Sequence, residues 1–187
     1  MSSIISRLTS GLMLATLMLV NTATAQPLNS TELQQIIEKA NNGDFLAQAD
    51  LANRYHVGEG IAQDLSKAAF WYKKLANNEV AEAQLALGLM YIKGDGVEPD
   101  NSKALHWLQR AAEQRLPAAQ YLLGLAHAEG HGTEIDRKKA YMWYEISAAM
   151  EYKDAIEARA ELATHLSKQE ILHAERLATE WWMKFHD

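Results

Sequence analysis

Asp64, Asp100 and Asp136 stand 36 residues apart, and each follows a Gly-x-Gly loop: Gly58/Gly60, Gly94/Gly96 and Gly130/Gly132. Carboxylates can act as general acids or bases, and glycine loops can offer backbone amides to a phosphate. His127, Glu129 and His131 form a third constellation, with the residue types of a metal site at i, i+2 and i+4. Each group has a plainer origin. A residue that recurs three times at one interval is required by architecture, which makes it weak evidence for a unique catalytic acid. The loops follow helical patterns, not strands, and none extends to G-x-G-x-x-G, so they are expected to be turns. Gly130 and Gly132 break the helix that would hold both histidines on one face, and His127 occupies a column otherwise filled by Tyr55 and Tyr91. His56, His106, His165, His173 and His186 are scattered, and no serine after residue 25 lies in a G-x-S-x-G or S-x-x-K context. We therefore expect no enzyme activity, no bound metal and no cofactor.

Composition narrows the classes further. Cysteine is absent from the 187 residues, which removes disulfides, thiolate zinc sites, a cysteine nucleophile and a lipid-anchored cysteine. The net charge is −6 with no basic run, so a nucleic acid partner has no electrostatic footprint. With 48% hydrophobic residues the chain should fold, and only 3 Pro and 10 Gly leave little room for turn-dense β architectures. The expectation is all-α.

The first residues carry Arg7, an apolar stretch from Leu12 to Val20 and then Ala23-Thr24-Ala25 before Gln26. This is the pattern of a secretory signal peptide cleaved after Ala25. The apolar run is interrupted by Thr9, Ser10 and Thr16 and falls short of the ~20 residues that a membrane span needs. The expected mature protein, 26–187, has no membrane span, loses Arg7 and no acid, and resides in the periplasm.

Compared with itself, the chain repeats every 36 residues without a gap. Tyr55/Tyr91/His127, Lys67/Lys103/Lys139, Ala68/Ala104/Ala140 and Trp71/Trp107/Trp143 align, as do Ala47/Ala83/Ala119, Gln48/Gln84/Gln120, Leu51/Leu87/Leu123 and Ala52/Gly88/Gly124. Within a unit, Ala83, Leu87, Gly88 and Tyr91 share one face of a helix A. Gly94 ends that helix, Asp100 caps the next, and Ala104, Trp107, Leu108, Ala111 and Ala112 form the buried stripe of a helix B. The small column Ala52/Gly88/Gly124 marks close helix approach. Three full units follow: 45–80, 81–116 and 117–152. Residues 26–44 supply an N-terminal capping helix equivalent to helix B alone, with Gly43 at the inter-repeat turn. Residues 153–187 hold a degenerate repeat, then a capping helix that starts at a Ser167 to Glu170 capping box and runs to about Phe185. About nine helices are expected.

The pattern [LA]-[GA]-x-x-[YH]-x-x-G-x-G-[IVT]-x-x-D-x-x-K-A-x-x-W over residues 45–152 resembles the Sel-one-like repeat family, a tetratricopeptide-related group. The resemblance implies a right-handed α-solenoid and a protein partner. His127 and Thr133 depart from the pattern, so the third unit is expected to be locally looser. Cysteine-rich relatives that bind or cleave β-lactams carry a disulfide in each repeat, and that activity does not transfer to a chain without cysteine.

In stacked helical hairpins helix A lines the concave face. Its variable columns are Ala49/Leu85/Tyr121, Asn53/Leu89/Leu125, His56/Ile92/Ala128 and Val57/Lys93/Glu129. Candidate partner-binding residues are therefore Asn53, His56, Leu89, Ile92, Lys93, Tyr121 and Leu125. Packing between A helices is the other reading of the apolar members. Trp181 and Trp182 are a second candidate surface, because adjacent helical positions cannot share one narrow stripe. The function expected is a periplasmic interaction module: an adaptor, regulator or inhibitor. One alternative is an immunity protein that neutralises a phospholipase-type or other antibacterial effector. The other is a module for peptidoglycan fragments or a cell-wall hydrolase, for which Tyr121 and Trp182 are the test residues.

Overall fold

The computed structural model describes residues 27–185. The expected signal peptide lies outside the described residues. Among these, the chain forms nine helices and no strand. They are α1 (Ser30–Asn41), α2 (Phe45–Val57), α3 (Leu65–Asn77), α4 (Ala81–Lys93), α5 (Asn101–Glu113), α6 (Pro117–Glu129), α7 (Arg137–Ala148), α8 (Lys153–Ala163) and α9 (Lys168–Phe185). Helices α2, α4 and α6 are the A helices of the three units, and α3, α5 and α7 are their B helices.

Helix ends fall where local chemistry demands them. Gly58, Gly94 and Gly130 adopt left-handed φ of 81°, 78° and 77° and close α2, α4 and α6. The Asp64, Asp100 and Asp136 carboxylates then accept hydrogen bonds from the Lys67, Lys103 and Lys139 amides at 3.0, 2.9 and 3.0 Å. Each satisfies an amide that the first turn of a helix leaves without a partner. The backbone of the third turn closes like the other two.

Packing is sequential. Each B helix lies against its own A helix and against the next one. The small column is explained by this contact: a Cβ at Gly124 would sit 2.5 Å from the Tyr144 ring. Trp71, Trp107 and Trp143 are buried, and two continuous hydrophobic clusters run along the stack. Helix α1 fills the slot of a lone B helix, with Ala40 fully buried and the Leu28 amide donating to the Gly60 carbonyl.

At the other end α8 takes the place of a fourth helix A, with Ala155 fully buried. Helix α9 is held at its start by Ser167 and Glu170: the Ser167 amide donates to the Glu170 carboxylate at 2.9 Å, and the Glu170 amide donates to Ser167 Oγ at 3.3 Å. It packs across α7 and not in the B-helix slot beside α8. There Trp181 meets the Trp143 ring edge to face at 5.7 Å.

Candidate functional site

The helix A face divides the expected contact residues into two groups. Every residue of helix α4 from Ala83 to Tyr91 is buried, and of these only Gln84 carries a hydrogen-bonding side-chain amide. Leu85 and Leu89 share one cluster with Tyr121, Leu122 and Leu125 of α6. Leu89, Tyr121 and Leu125, expected as partner contacts, are thus core residues, exposed by only 7%, 7% and 2%. The physical reason is that these side chains are enclosed in one cluster with residues of the neighbouring B helices, Leu108, Ala111 and Ala112 of α5 and Trp143 and Tyr144 of α7, which excludes water from the columns. Trp181 is corrected likewise: it is buried against Trp143, Trp182 and Phe185, with its Nε1 unpartnered among the described residues. Trp182 stays half-buried, under the Arg115 guanidinium at 5.5 Å from its ring centroid.

The other group lies toward the C-terminal ends of α2 and α4, where His56 and Lys93 come within electrostatic reach of each other. Asn53 and Lys93 are exposed, while His56 and Ile92 are half-buried. Ile92 packs against both hydrophobic clusters. The His56 ring meets the Tyr72 ring edge to face at 6.0 Å. Burial holds the His56 imidazole below its ordinary range; Asp95 from the next repeat opposes this and Lys93 adds to it. Burial also pushes the Tyr72 hydroxyl up to about 12, so it stays neutral. Val57 next to this group is 55% exposed. The result is a rim of mixed character: the Lys93 cation, the Asp95 carboxylate, neutral hydrogen-bonding groups and accessible apolar surface. The sequence did not single out Tyr72 or Asp95, which meet His56 only through the 36-residue stacking.

No group of three or more His, Asp or Glu side chains among the described residues could hold a metal ion. His131 Nε2 instead lies 2.9 Å from the Glu129 carboxylate. A cleft lined by Ile92, Leu105, Leu108, Leu122, Leu125 and His131 has a volume of about 10 Å³, room for one water. An open depression of about 630 Å³ is lined by Lys138, Ser167, Gln169, Glu170 and His173, but Ser167 and Glu170 are committed to capping α9. The three aspartates are likewise committed as caps. No helix among the described residues is long and apolar enough to cross a membrane.

A family model described as Sel1 repeat matches residues 46–79, 81–116 and 117–152. No curated protein matches the chain. Among solved structures, a protective antigen present in uropathogenic Escherichia coli strains, displaying an SLR fold, superposes with a TM-score of 0.73 at 29% identity, over 84% of this chain and 34% of that one. This chain therefore spans about a third of that antigen's length. A Sel1 repeat protein from Oxalobacter formigenes superposes with a TM-score of 0.62 at 36% identity, over 69% of this chain and 97% of that one. Sel1 repeats are generally non-catalytic modules that mediate protein–protein interaction. The repeat matches cover more than half of the sequence, and the stacked hairpins account for the Asp, Gly and Trp columns that tile it; the chain belongs to the Sel1 repeat family.

Proposed function

We propose that the mature chain, residues 26–187, is a periplasmic protein-interaction module that binds its partner through the rim formed by the C-terminal ends of α2 and α4. Asn53, His56, Ile92 and Lys93 carry the contact. The supporting observation is one of exclusion by packing: the helix A columns further along are closed inside the hydrophobic cluster of the stack, whereas these four residues lie at or near the surface. Neutral His56 and Tyr72 offer hydrogen bonds, Lys93 offers a charge, and Val57 adds exposed apolar area. Such a mixture of a polar rim and apolar centre is how protein interfaces are built. The periplasmic site rests on the signal sequence through Ala25.

The test is crosslinking of mature protein in periplasm, followed by mass spectrometry, with an Asn53→Arg/Lys93→Glu variant as control. Both residues are exposed, so the variant should keep the wild-type helical signal and Tm. Ile92 is left intact because it is part of both cores. A stoichiometric partner lost in the variant supports the rim. A partner retained in full by a folded variant removes the rim from the interface, and recovery of muropeptides alone removes the protein-partner reading.

A further inference from the structure

Two of the three Gly-x-Gly turns carry a side-chain clamp that the third lacks. In the first repeat Lys67 Nζ lies 5.1 Å from the Tyr55 ring centroid and 3.0 Å from Asp64 Oδ2. In the second, Lys103 Nζ lies 5.5 Å from the Tyr91 centroid and 2.9 Å from Asp100 Oδ2. Ring, ammonium and carboxylate together tie the end of helix A to the start of helix B, through a cation–π contact and an ion pair. In the third repeat the ring is His127. Asp136 keeps its backbone roles, capping α7 and donating its own amide to the His127 carbonyl at 2.8 Å. Lys139, however, makes neither a ring contact nor an ion pair among the described residues.

His127 also fits its column less well than tyrosine. Its Nδ1 is buried and has no hydrogen-bond partner among the described residues. Burial first, then the Lys139 charge, hold the imidazole below its ordinary range against the opposing pull of Asp136. The charged groups around the ring are Lys139 and Asp136 on α7, with Glu129 and His131 paired on its own turn; from α5, the Asn101 backbone lies against Gly132.

We propose that the α6–α7 turn is an acid-labile hinge of the repeat stack: His127 is accommodated neutral, and its protonation opens this turn before the corresponding turn of the second repeat. A protonated ring would place a second cation beside Lys139 and add an N–H where no acceptor waits, and burying such a group unpaired is costly. Opening the turn hydrates the imidazolium and relieves the repulsion. Acid therefore favours the open form, and a single group of this kind changes the opening equilibrium by at most about tenfold per pH unit. The Tyr91 turn of the second repeat has no histidine at or beside the equivalent position, whereas the first repeat carries half-buried His56 next to Tyr55, so the second repeat is the reference.

Hydrogen exchange of the mature chain, read by mass spectrometry at pH 7.5 and 5.5 and corrected for intrinsic rates, tests this. The segment from Gly124 to Ala140 should lose protection between the two pH values, by up to about tenfold per pH unit more than the segment from Gly88 to Ala104. His127→Tyr, which restores the ring of the clamp, should abolish that difference. His127→Gln, neutral at every pH, should abolish it too and serves if the tyrosine variant packs poorly. Equal loss in both segments overturns the proposal, as does a difference that persists in His127→Gln.

Discussion

Gln84 Nε2 donates to the carbonyl oxygen of Ala76 at 3.0 Å, across the boundary between the first and second repeats. Gln48 reaches Ala40 at 2.9 Å and Gln120 reaches Ala112 at 3.2 Å in the same way. Each acceptor lies in the last turn of a B helix, where carbonyls run out of intrahelical donors. The glutamine column is therefore a stitch between units through its side-chain nitrogens; Gln84 Oε1 also accepts from Gln114 Nε2 at 2.8 Å, whereas the Gln48 and Gln120 oxygens are buried with no partner among the described residues. At α8 the column holds Ile156, which makes no such bond and is 41% exposed. The stitch ends where the regular stack ends.

Replacing Gln84 should separate its hydrogen bonds from the volume it fills. Gln84→Met keeps most of the volume and should cost about 1 to 2 kcal/mol, the net worth of its bonds to the Ala76 carbonyl, the Glu79 carboxylate and the Gln114 amide. Gln84→Ala adds a cavity and should cost about 3 kcal/mol. Urea unfolding of each variant checks this. A methionine variant as stable as wild type would mean that the stitch contributes nothing beyond packing.

Gly96 should be the least replaceable residue of its loop. A Cβ there would fall 2.1 Å from the Leu65 carbonyl oxygen, which is backbone of the preceding repeat and cannot step aside, and φ is +70°. We expect Gly96→Ala to cost more than about 3 kcal/mol. Gly43 also has positive φ, at +91°, but a Cβ would meet nothing within 4 Å. Gly43→Ala should then cost only about 1 kcal/mol, the left-handed penalty alone. Equal midpoints for the two variants in urea would show that conformation, and not contact between repeats, sets the demand for glycine.

Helices and their ends were legible in the sequence because their determinants are local: apolar spacing, Gly94 at a C-terminus, Asp100 at an N-cap. Non-local facts were not. Leu89 and Leu125 form an apolar column whether a partner or a neighbouring helix covers it, and hydrophobicity alone does not distinguish the two. The second glycine of each loop resembled a turn residue, while its contact with the previous repeat depends on how units stack. Gly43 marked an inter-repeat turn, yet Glu79, Arg115 and Glu151 hold its periodic positions with φ of 61°, 66° and 61°. There the stacked repeats impose a backbone that residue type does not announce. The capping box of α9 was visible, but its landing on α7 was not.

Trp181 and Trp182 should behave as core and edge. Trp181→Ala empties the space against Trp143 and Phe185 and should cost about 3 to 5 kcal/mol. Trp181→Phe should be much milder, because the indole Nε1 it removes has no partner among the described residues. Trp182→Ala, which loses the Arg115 stacking and the edge contact with Trp181 from a half-buried position, should cost about 1 to 2 kcal/mol. Thermal unfolding followed by circular dichroism ranks the three. If Trp182→Ala proves the most damaging, the packing of α9 on α7 is other than described.

Stability should fall with acid in two separate windows. The His56 and His127 imidazoles are held below 6.5, so the folded chain prefers them neutral. Above pH 6.5 that contribution is complete; as pH drops past 6.5 the unfolded chain takes up protons first, and stability declines until the folded-state values are passed. The carboxyls of Asp64, Asp100 and Glu170 are held below their ordinary 3.8 and 4.5, chiefly by backbone amides at the caps. Their contribution is complete above those values and is lost as pH falls through the lower folded-state ones. Urea midpoints measured from pH 7.5 to 3 should therefore show a decline beginning near 6.5 and a second near 4. A His56→Gln/His127→Gln double variant should flatten the upper decline and leave the lower one in place. If the upper decline survives in that variant, groups other than these two histidines carry the protons.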